Sequence, residues 1–185
     1  AVANSASSLM FLALDGIIKS PKKIGLDKKP IFLPSMIPPA VASVVHNSRF
    51  PAVWRDDVDW IGKPYVLYNT LGIEPDMKPR ELHADKTSPQ QQTPRMGLKI
   101  IDSSQQVTRD LFRNEANPQD IMIFSFYPTK PVGGIDGGIV VSDNKEAIDF
   151  FNIMVHLGSD ILKTASVKDE SKALNKLDSI ENEFE

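Results

Sequence analysis

The sequence predicts an α/β protein, in which a sheet is flanked by helices. Short apolar runs, each bounded by proline, glycine or polar residues, recur along the chain and have the length of buried strands. Apolar segments of helical length alternate with these runs, which is typical of strands joined by crossover connections. A chain of 185 residues is long enough to form one domain with a sizeable core.

The predicted elements follow in chain order. Proline-rich residues 74–96 predict a loop with a short helix near 80–84. Asp143 and Glu146 have the spacing of a capping box, and Gly158 suits the position after a helix. An amphipathic helix is predicted from Ala173 to Phe184. We predict strands at 30–34, 52–55, 65–69, 98–101, 121–124 and 139–141, and further helices at 9–14, 40–45 and 146–157.

Composition and charge narrow the classes of function. The net charge of −3 gives no reason to expect nucleic acid or an anionic membrane as a partner, and no apolar run is long enough to span a bilayer. Cysteine is absent, which excludes disulfides and thiolate metal sites and fits a reducing compartment, so we expect a cytoplasmic protein. The three histidines lack the spacing of a metal site.

Two segments predict polar sites at the ends of apolar elements. Ser5, Ser7 and Ser8 stand where an apolar helix begins, and the free N–H groups and dipole of a helix start attract anions. Plain capping by serine is the alternative. Asp102 stands at the carboxyl end of a predicted strand, where ligands bind in open α/β sheets, and polar Ser103 to Gln106 follow it.

The third segment contains a single lysine. Lys130 lies between Pro128-Thr129 and a glycine-rich run, with an apolar strand on either side of the whole stretch. A lysine whose charge is disfavoured by apolar surroundings can attack a carbonyl and form a Schiff base. The alternative is a β-hairpin with an exposed lysine in its loop, and these residues alone leave both interpretations open.

Taken together, these segments resemble the DegT/StrS-type sugar aminotransferases, which use pyridoxal phosphate and have fold type I. Ser5 to Leu14 resembles the family's Ser-Gly-Thr-Ala-Ala-Leu-His-Leu-Ala-Leu, and Asp102-Ser103-Ser104-Gln105 resembles Asp-Ala-Ala-Gln. Ser125 to Gly138 resembles Ser-Phe-x-Pro-Thr-Lys followed by glycines. The resemblance implies the large domain of an aspartate-aminotransferase-like fold, with a mixed, mostly parallel sheet flanked by helices.

The resemblance also implies a role for each matching residue. Lys130 would form a Schiff base with pyridoxal phosphate and later move protons. Asp102 would pair with the protonated pyridine nitrogen, and Gln105 would hydrogen-bond the ring's phenolic oxygen. Ser7, Ser8 and Ser125 would hold the phosphate. We find no sequence signal for a metal.

Some features depart from the family's pattern. Pro38 occupies the position where relatives carry an aromatic residue that stacks on the cofactor, and the span from Asp59 to Tyr65 is shorter than in relatives. The resemblance implies a large domain over residues 1–158, truncated at its N-terminus, and a helical extension over 159–185 toward a missing C-terminal domain.

The implied activity is transfer of an amino group, from glutamate, to a keto group of a nucleotide-linked sugar, by a homodimer acting in nucleotide-sugar biosynthesis. Two alternatives stay open. One is a non-catalytic or fragmentary domain that keeps the fold for assembly. The other is a sugar dehydratase that uses the same cofactor. In known dehydratase relatives histidine replaces the Schiff-base lysine, and Lys130 argues against that alternative.

Overall fold

The computed structural model describes residues 1–19, 29–56, 60–71 and 97–155. The described strands are β1 (Val2–Ala3), β2 (Ile31–Pro34), β3 (Ala52–Arg55), β4 (Tyr65–Asn69), β5 (Lys99–Asp102), β6 (Ile121–Ser125) and β7 (Gly138–Val141). The described helices are α1 (Ala6–Lys19), α2 (Pro39–Asn47), α3 (Leu111–Glu115) and α4 (Lys145–Val155). The sequence predicted nine of these elements; β1 and α3 were missed.

The described strands form a five-stranded sheet in the order β1-β7-β6-β5-β4 and a two-stranded sheet of β2 and β3. β5 pairs with β6 in parallel, and β2 pairs with β3 in parallel. The pairs β1–β7, β4–β5 and β6–β7 are antiparallel. The predicted α/β class and the mixed sheet are therefore confirmed.

The predicted predominance of parallel strands is wrong for the described residues, because three of the five pairings given above are antiparallel. The physical reason is clearest for β6 and β7. The loop at 126–137 joins them as a hairpin, and it contains no helix that would carry the chain back across the sheet to start a parallel strand.

The five-stranded sheet buries a different cluster on each face, because successive residues of a strand point to opposite sides. Ile121 and Ile123 belong to the larger cluster, in which α1 contributes Leu9 and Leu14. On the other face, Met122 joins a smaller cluster that α3 helps to cover. Helix α1 contacts β6, β7, α2 and α4, so it is the central helix of the larger cluster.

The start of α4 differs from the predicted capping box. The carboxamide oxygen of Asn144 accepts a hydrogen bond from the N–H of Ala147 at 3.2 Å, and Ser142 Oγ accepts one from the N–H of Asn144 at 3.0 Å. Asn144 is therefore the capping residue, and the prediction of Asp143 was one residue too early. Asparagine and aspartate serve this position about equally well, so their spacing alone does not decide between neighbours.

Several predictions lie outside the described residues. These are the loop at 74–96 with its short helix, the glycine at 158, the helix at 173–184 and the extension over 159–185.

Candidate active site

Three of the predicted segments meet at one edge of the five-stranded sheet, the edge formed by the carboxyl ends of β5 and β6. β5 and β6 are parallel, so their carboxyl ends meet there, with Asp102 beside Ile123. Ser125, which ends β6, pairs with Gly138, and Gly138 also pairs with Ala3, just before α1 begins. The acid, the serine–lysine segment and the start of α1 therefore share an edge, as the general rule for ligand sites in α/β sheets requires.

Asp102 is the buried acid of this edge. Its side chain lies on the same face as Ile100, which belongs to the α1 cluster, because residues two apart on a strand share a face. The N–H of Ser104 donates to Asp102 Oδ1 at 2.8 Å. Burial raises the pKa of the Asp102 carboxyl above its ordinary value, and hydrogen bonds from Ser104 and the charge of Lys130 oppose that rise. A second cation at Asp102 would favour its ionised form.

Lys130 lies in the loop that joins β6 and β7, and its charge acts on Asp102. Its N–H donates to the carbonyl of Tyr127 at 2.9 Å, which closes a tight turn. The antiparallel β6–β7 pair confirms the hairpin geometry that the sequence left open, but the lysine of this hairpin is half-buried and is coupled to a buried acid. The sequence predicted apolar surroundings for Lys130. The loop itself does not supply them, because its Ile135 is 97 % exposed.

Glycines let the backbone segments around Lys130 approach one another closely. A Cβ at Gly138 would lie 2.6 Å from the backbone nitrogen of Ala6, so only glycine permits α1 to begin against β7. A Cβ at Gly133 would lie 2.6 Å from the carbonyl oxygen of Pro128. The glycine-rich run is therefore a structural requirement of this loop.

Ser125 is buried at the end of β6, on the face that carries Ile121 and Ile123. Its hydroxyl oxygen accepts a hydrogen bond from the N–H of Tyr127 at 3.3 Å. A serine hydroxyl has one proton to donate in addition to the lone pairs with which it accepts. Ser125 therefore has a proton to donate to a ligand, and its role in holding a phosphate stays a prediction.

The serines at the start of α1 divide into a capping pair and a third residue. Ser5 Oγ accepts the N–H of Ser8 at 3.1 Å and lies 2.9 Å from Ser8 Oγ, so Ser5 is the N-cap of α1. Ser5 is therefore a plain capping residue, as the alternative interpretation held. The hydroxyl of Ser8 is hydrogen-bonded to it. Ser7 stands in the first turn of α1, where backbone N–H groups lack intrahelical acceptors and the helix dipole favours an anion.

Gln105 makes a contact that the sequence did not predict. Its side-chain oxygen Oε1 accepts a hydrogen bond from the N–H of Gly62 at 3.1 Å. Gly62 belongs to the turn before β4, and β4 begins at Tyr65, which pairs with Asp102. The two residues are 43 positions apart, so no local sequence pattern could have revealed the contact. The structure therefore adds the turn around Gly62 to the site.

The proline at the position of the family's stacking aromatic has a structural role. Pro38 is the N-cap residue of α2, with φ −54° and ψ 136°, and Pro39 occupies the first helical position. Proline suits that position because its fixed φ fits a helix and its missing N–H would have had no intrahelical acceptor. Pro38 thus helps to start α2.

A groove of about 500 Å³ lies on the opposite face of the sheet, beside α3. Its walls include Phe124, Ile139 and Val141, whose side chains belong to the smaller cluster or pack against it. None of the predicted site residues lines this groove. It is therefore separate from the edge that carries Asp102.

In the part of the chain that the structure describes, no helix is long and apolar enough to cross a membrane. Among the same residues, no cluster of histidine and acidic side chains has the arrangement of a metal site.

Residues 96–176 match the model of the DegT/DnrJ/EryC1/StrS aminotransferase family. The resemblance to this family is confirmed. Asp102, Gln105, Ser125 and Lys130 lie within the matched residues, whereas Ser7 and Ser8 precede them.

A curated relative is also similar over part of the chain. UDP-4-amino-4,6-dideoxy-N-acetyl-beta-L-altrosamine transaminase of Campylobacter jejuni is 36 % identical over 64 residues, which are 34 % of this chain and 17 % of that enzyme. The matched part is thus about one sixth of the relative's length. The similarity links this DegT/StrS-like chain to a sugar transaminase and says nothing of the rest of that enzyme.

Two solved structures resemble the chain at low identity. DesV of S. venezuelae is 16 % identical, with 85 % of this chain and 43 % of DesV covered and a TM-score of 0.49. GDP-4-keto-6-deoxymannose-3-dehydratase (ColD) is 14 % identical, with 82 % and 41 % covered and a TM-score of 0.44. The chain therefore spans less than half of either protein, and at these TM-scores we infer nothing about the site from them.

Proposed function

We propose that this DegT/StrS-like chain belongs to a pyridoxal-phosphate-dependent aminotransferase that transfers an amino group from glutamate to a keto group of a nucleotide-linked sugar. The observation that carries the proposal is the convergence of three segments at one end of the sheet, where β5 ends at Asp102, β6 leads into the loop with Lys130, and α1 begins. The family match over residues 96–176 supports an aminotransferase, and the C. jejuni relative supports a sugar as the acceptor.

The side chains of this edge fit pyridoxal phosphate. The cofactor has a basic ring nitrogen, an aldehyde and a phosphate, which call for an acid, an amine and an anion site. Asp102 supplies the acid, and its raised pKa means that a protonated ring nitrogen beside it would relieve an unfavourable burial of negative charge. Lys130 supplies the amine, and the start of α1 supplies an anion site.

When bound, pyridoxal phosphate supplies an aldehyde and an electron-accepting ring. Lys130 would hold the cofactor at its aldehyde carbon through Nζ, with the aldehyde oxygen leaving as water, and would then hold and return the proton that is moved during the transfer. Lys130 lies in a hairpin loop, and the hydrogen bond from its N–H to the carbonyl of Tyr127 fixes its backbone there.

The remaining side chains hold the cofactor in place. Asp102 would accept a hydrogen bond from the protonated ring nitrogen and keep that nitrogen charged, because the buried carboxylate is little screened by water. Ser125 and Ser7 would donate hydrogen bonds to the phosphate. The N–H and the hydroxyl of Ser8 both contact Ser5 Oγ, so Ser8 would donate its hydroxyl proton to the phosphate with Ser5 as the donor between the two hydroxyls. Gln105 would donate a hydrogen bond to the phenolic oxygen of the ring.

The proposal also includes the domain organisation, the oligomeric state and the cellular location of the protein. We infer that residues 1–158 form the cofactor-binding large domain and that residues 159–185 extend toward a further domain. We also propose that the whole protein is a homodimer that acts in the cytoplasm on a nucleotide sugar and an amino-acid donor.

The two alternatives differ from this proposal in what they predict. A dehydratase would remove water from the sugar without consuming glutamate, and the presence of Lys130 argues against it. A non-catalytic domain would not bind pyridoxal phosphate at Lys130, and the contact of the Ser8 hydroxyl with Ser5 favours this alternative over the dehydratase.

The proposal is tested by mixing the whole protein, pyridoxal phosphate, glutamate and a 4-keto nucleotide sugar. We expect equal amounts of 2-oxoglutarate and amino sugar, because the amino group that leaves glutamate replaces the keto oxygen. Lys130→Ala should abolish both products, whereas Lys145→Ala, at the start of α4, should change neither. Loss of water from the sugar without 2-oxoglutarate would indicate the dehydratase, and absence of bound cofactor would indicate the non-catalytic domain.

A further inference from the structure

The side-chain amide of Gln105 has a defined orientation. A backbone N–H can pair only with the oxygen of a side-chain amide, so the 3.1 Å hydrogen bond from Gly62 assigns Oε1 to that contact. The two hydrogens on Nε2 are then the donors that Gln105 offers elsewhere. The contact therefore decides whether Gln105 presents a donor or an acceptor at the sheet edge.

The turn that contains Gly62 is itself well anchored. The N–H of Lys63 donates to the carbonyl of Trp60 at 3.0 Å, and Gly62 adopts the left-handed conformation with φ +75°. The ring of Trp60 is buried and packs edge-to-face on Tyr65, with ring centroids 6.1 Å apart. The hydroxyl of Tyr65 in turn donates to the carbonyl of Phe32 in β2.

Strand pairing places this turn next to the acid of the site. Tyr65 is the first residue of β4 and pairs with Asp102, so the turn immediately before it lies at the carboxyl edge of β5. Gln105 follows Asp102 by three residues and reaches the turn across this edge. The turn, Asp102 and Gln105 therefore lie at the same end of the sheet.

We propose that the turn of residues 60–63 is a positioning element for Gln105. By occupying Oε1, the N–H of Gly62 directs the Nε2 hydrogens to the ligand, where they suit an ionised phenolic oxygen. The reversed amide would present Oε1 to that oxygen, and two acceptors repel each other. This inference rests on the proposed function for the identity of the ligand but not for the existence of the contact.

Two substitutions at Gln105 separate its two contacts. Gln105→Glu keeps an oxygen for the N–H of Gly62 but loses the Nε2 donors. Gln105→Met has a similar length and loses both. We expect the Gly62 amide in cofactor-free protein to exchange its hydrogen at nearly the same rate in wild type and Gln105→Glu. In Gln105→Met the exchange should be about fivefold faster, the effect of losing one net hydrogen bond.

Two substitutions at Gly62 test whether the turn positions Gln105. A Cβ at position 62 would meet no atom within 4 Å, so any effect comes from backbone conformation and not from a clash. Gly62→Asn tolerates the left-handed conformation, whereas Gly62→Val, with a β-branched side chain, should displace the turn. With pyridoxal phosphate bound, Gly62→Asn should keep the wild-type pH titration of the visible absorption. Gln105→Met should shift that titration, because the Nε2 donors are lost, and Gly62→Val should shift it in the same direction.

The outcomes separate failure of this inference from failure of the proposed function. Unchanged exchange at Gly62 in Gln105→Met would overturn the positioning role, whether or not the cofactor binds. A Gly62→Val variant that is less stable but titrates like wild type would also overturn it, because the turn would then be merely structural. If wild type binds no pyridoxal phosphate, the proposed function fails, and the exchange rates alone decide whether the turn orients Gln105.

Discussion

Asp102 and Asp120 are both buried carboxylates, and they lie at opposite ends of the parallel pair β5 and β6. Asp120 precedes β6 and is fully buried. Its Oδ1 accepts the N–H of Lys99 at 2.8 Å, its Oδ2 accepts the N–H of Asn117 at 2.8 Å, and Lys99 Nζ lies 3.4 Å from Oδ2. Asp102 receives hydrogen bonds from one residue, Ser104, and burial raises its pKa.

The difference between Asp120 and Asp102 indicates which of the two buried acids is placed to bind a ligand. The donors around Asp120 come from two segments and join the start of β5 to the start of β6, so its charge is compensated within the fold. Asp102 is less favourable as an anion in the free protein and gains from any cation that arrives at its edge. The contacts of Asp120 stabilise the fold. The unfavourable charge of Asp102 makes binding of a cationic ligand group at its edge more favourable.

The largest effect that this comparison predicts is on the reaction. In Asp102→Ala, the rate of amino transfer from glutamate should fall by about 100-fold or more, because a buried charge that acts on the cofactor ring is lost. Bound cofactor should remain, since Lys130 and the start of α1 still hold it. Absorption spectra and single-turnover kinetics measure the two effects. Asp120→Asn is the matched control and should react at nearly the wild-type rate; normal turnover in Asp102→Ala would show that Asp102 is misassigned.

The second effect is on folding. Asp120→Ala removes the acceptor of the Lys99 and Asn117 N–H groups and should lower the free energy of unfolding by about 3 kcal/mol. Urea unfolding of the cofactor-free protein measures this change. Asp120→Asn keeps one acceptor oxygen and should lose less. A loss of under about 1 kcal/mol in Asp120→Ala would mean that this acid supports the fold no more than an average hydrogen bond does.

The smallest effect is a gain of stability from replacing Asp102. Because its folded-state pKa lies above the ordinary value of 3.8, its contribution to stability is greatest below that value and is lost as pH rises through the folded-state pKa. Asp102→Asn does not titrate, so the cofactor-free variant should be more stable than wild type near pH 7 but not near pH 3. Each pKa unit corresponds to about 1.4 kcal/mol.

Urea unfolding at both pH values checks the sign of this effect. The same substitution at Asp120 serves as the contrast, because it should destabilise the protein. A variant Asp102→Asn that is less stable than wild type near pH 7 would contradict the account of Asp102 as an acid whose charge is unfavourable without a ligand.

Sequence patterns predicted the elements of this fold better than their arrangement. Strands such as β6 are continuous apolar runs and were found within one residue of their ends. β1 has only two residues, and α3 has five and begins after Asp110 at φ 59°, so neither has a periodic pattern to detect. Strand direction depends on long-range pairing, which explains why the antiparallel pairs were not predicted.

In the candidate site too, the residues were predicted better than the contacts between them. Asp102 and Ser125 were predicted from strand ends and from a resemblance, and the fold brings them to one edge. The contact between Gln105 and Gly62 joins residues far apart in sequence, and the capping pair of Ser5 and Ser8 competes with a ligand for the same hydroxyls. Such contacts depend on tertiary structure, so motif spacing does not reveal them.

The most direct test of the account is the covalent bond between Lys130 and the cofactor. The whole protein is incubated with pyridoxal phosphate, reduced with borohydride and digested, and the labelled lysines are identified by mass spectrometry. We predict one label per chain, on Lys130, and loss of the visible absorption in Lys130→Ala. A label spread equally over Lys130, Lys63 and Lys99, or an absorption unchanged in Lys130→Ala, would contradict the account.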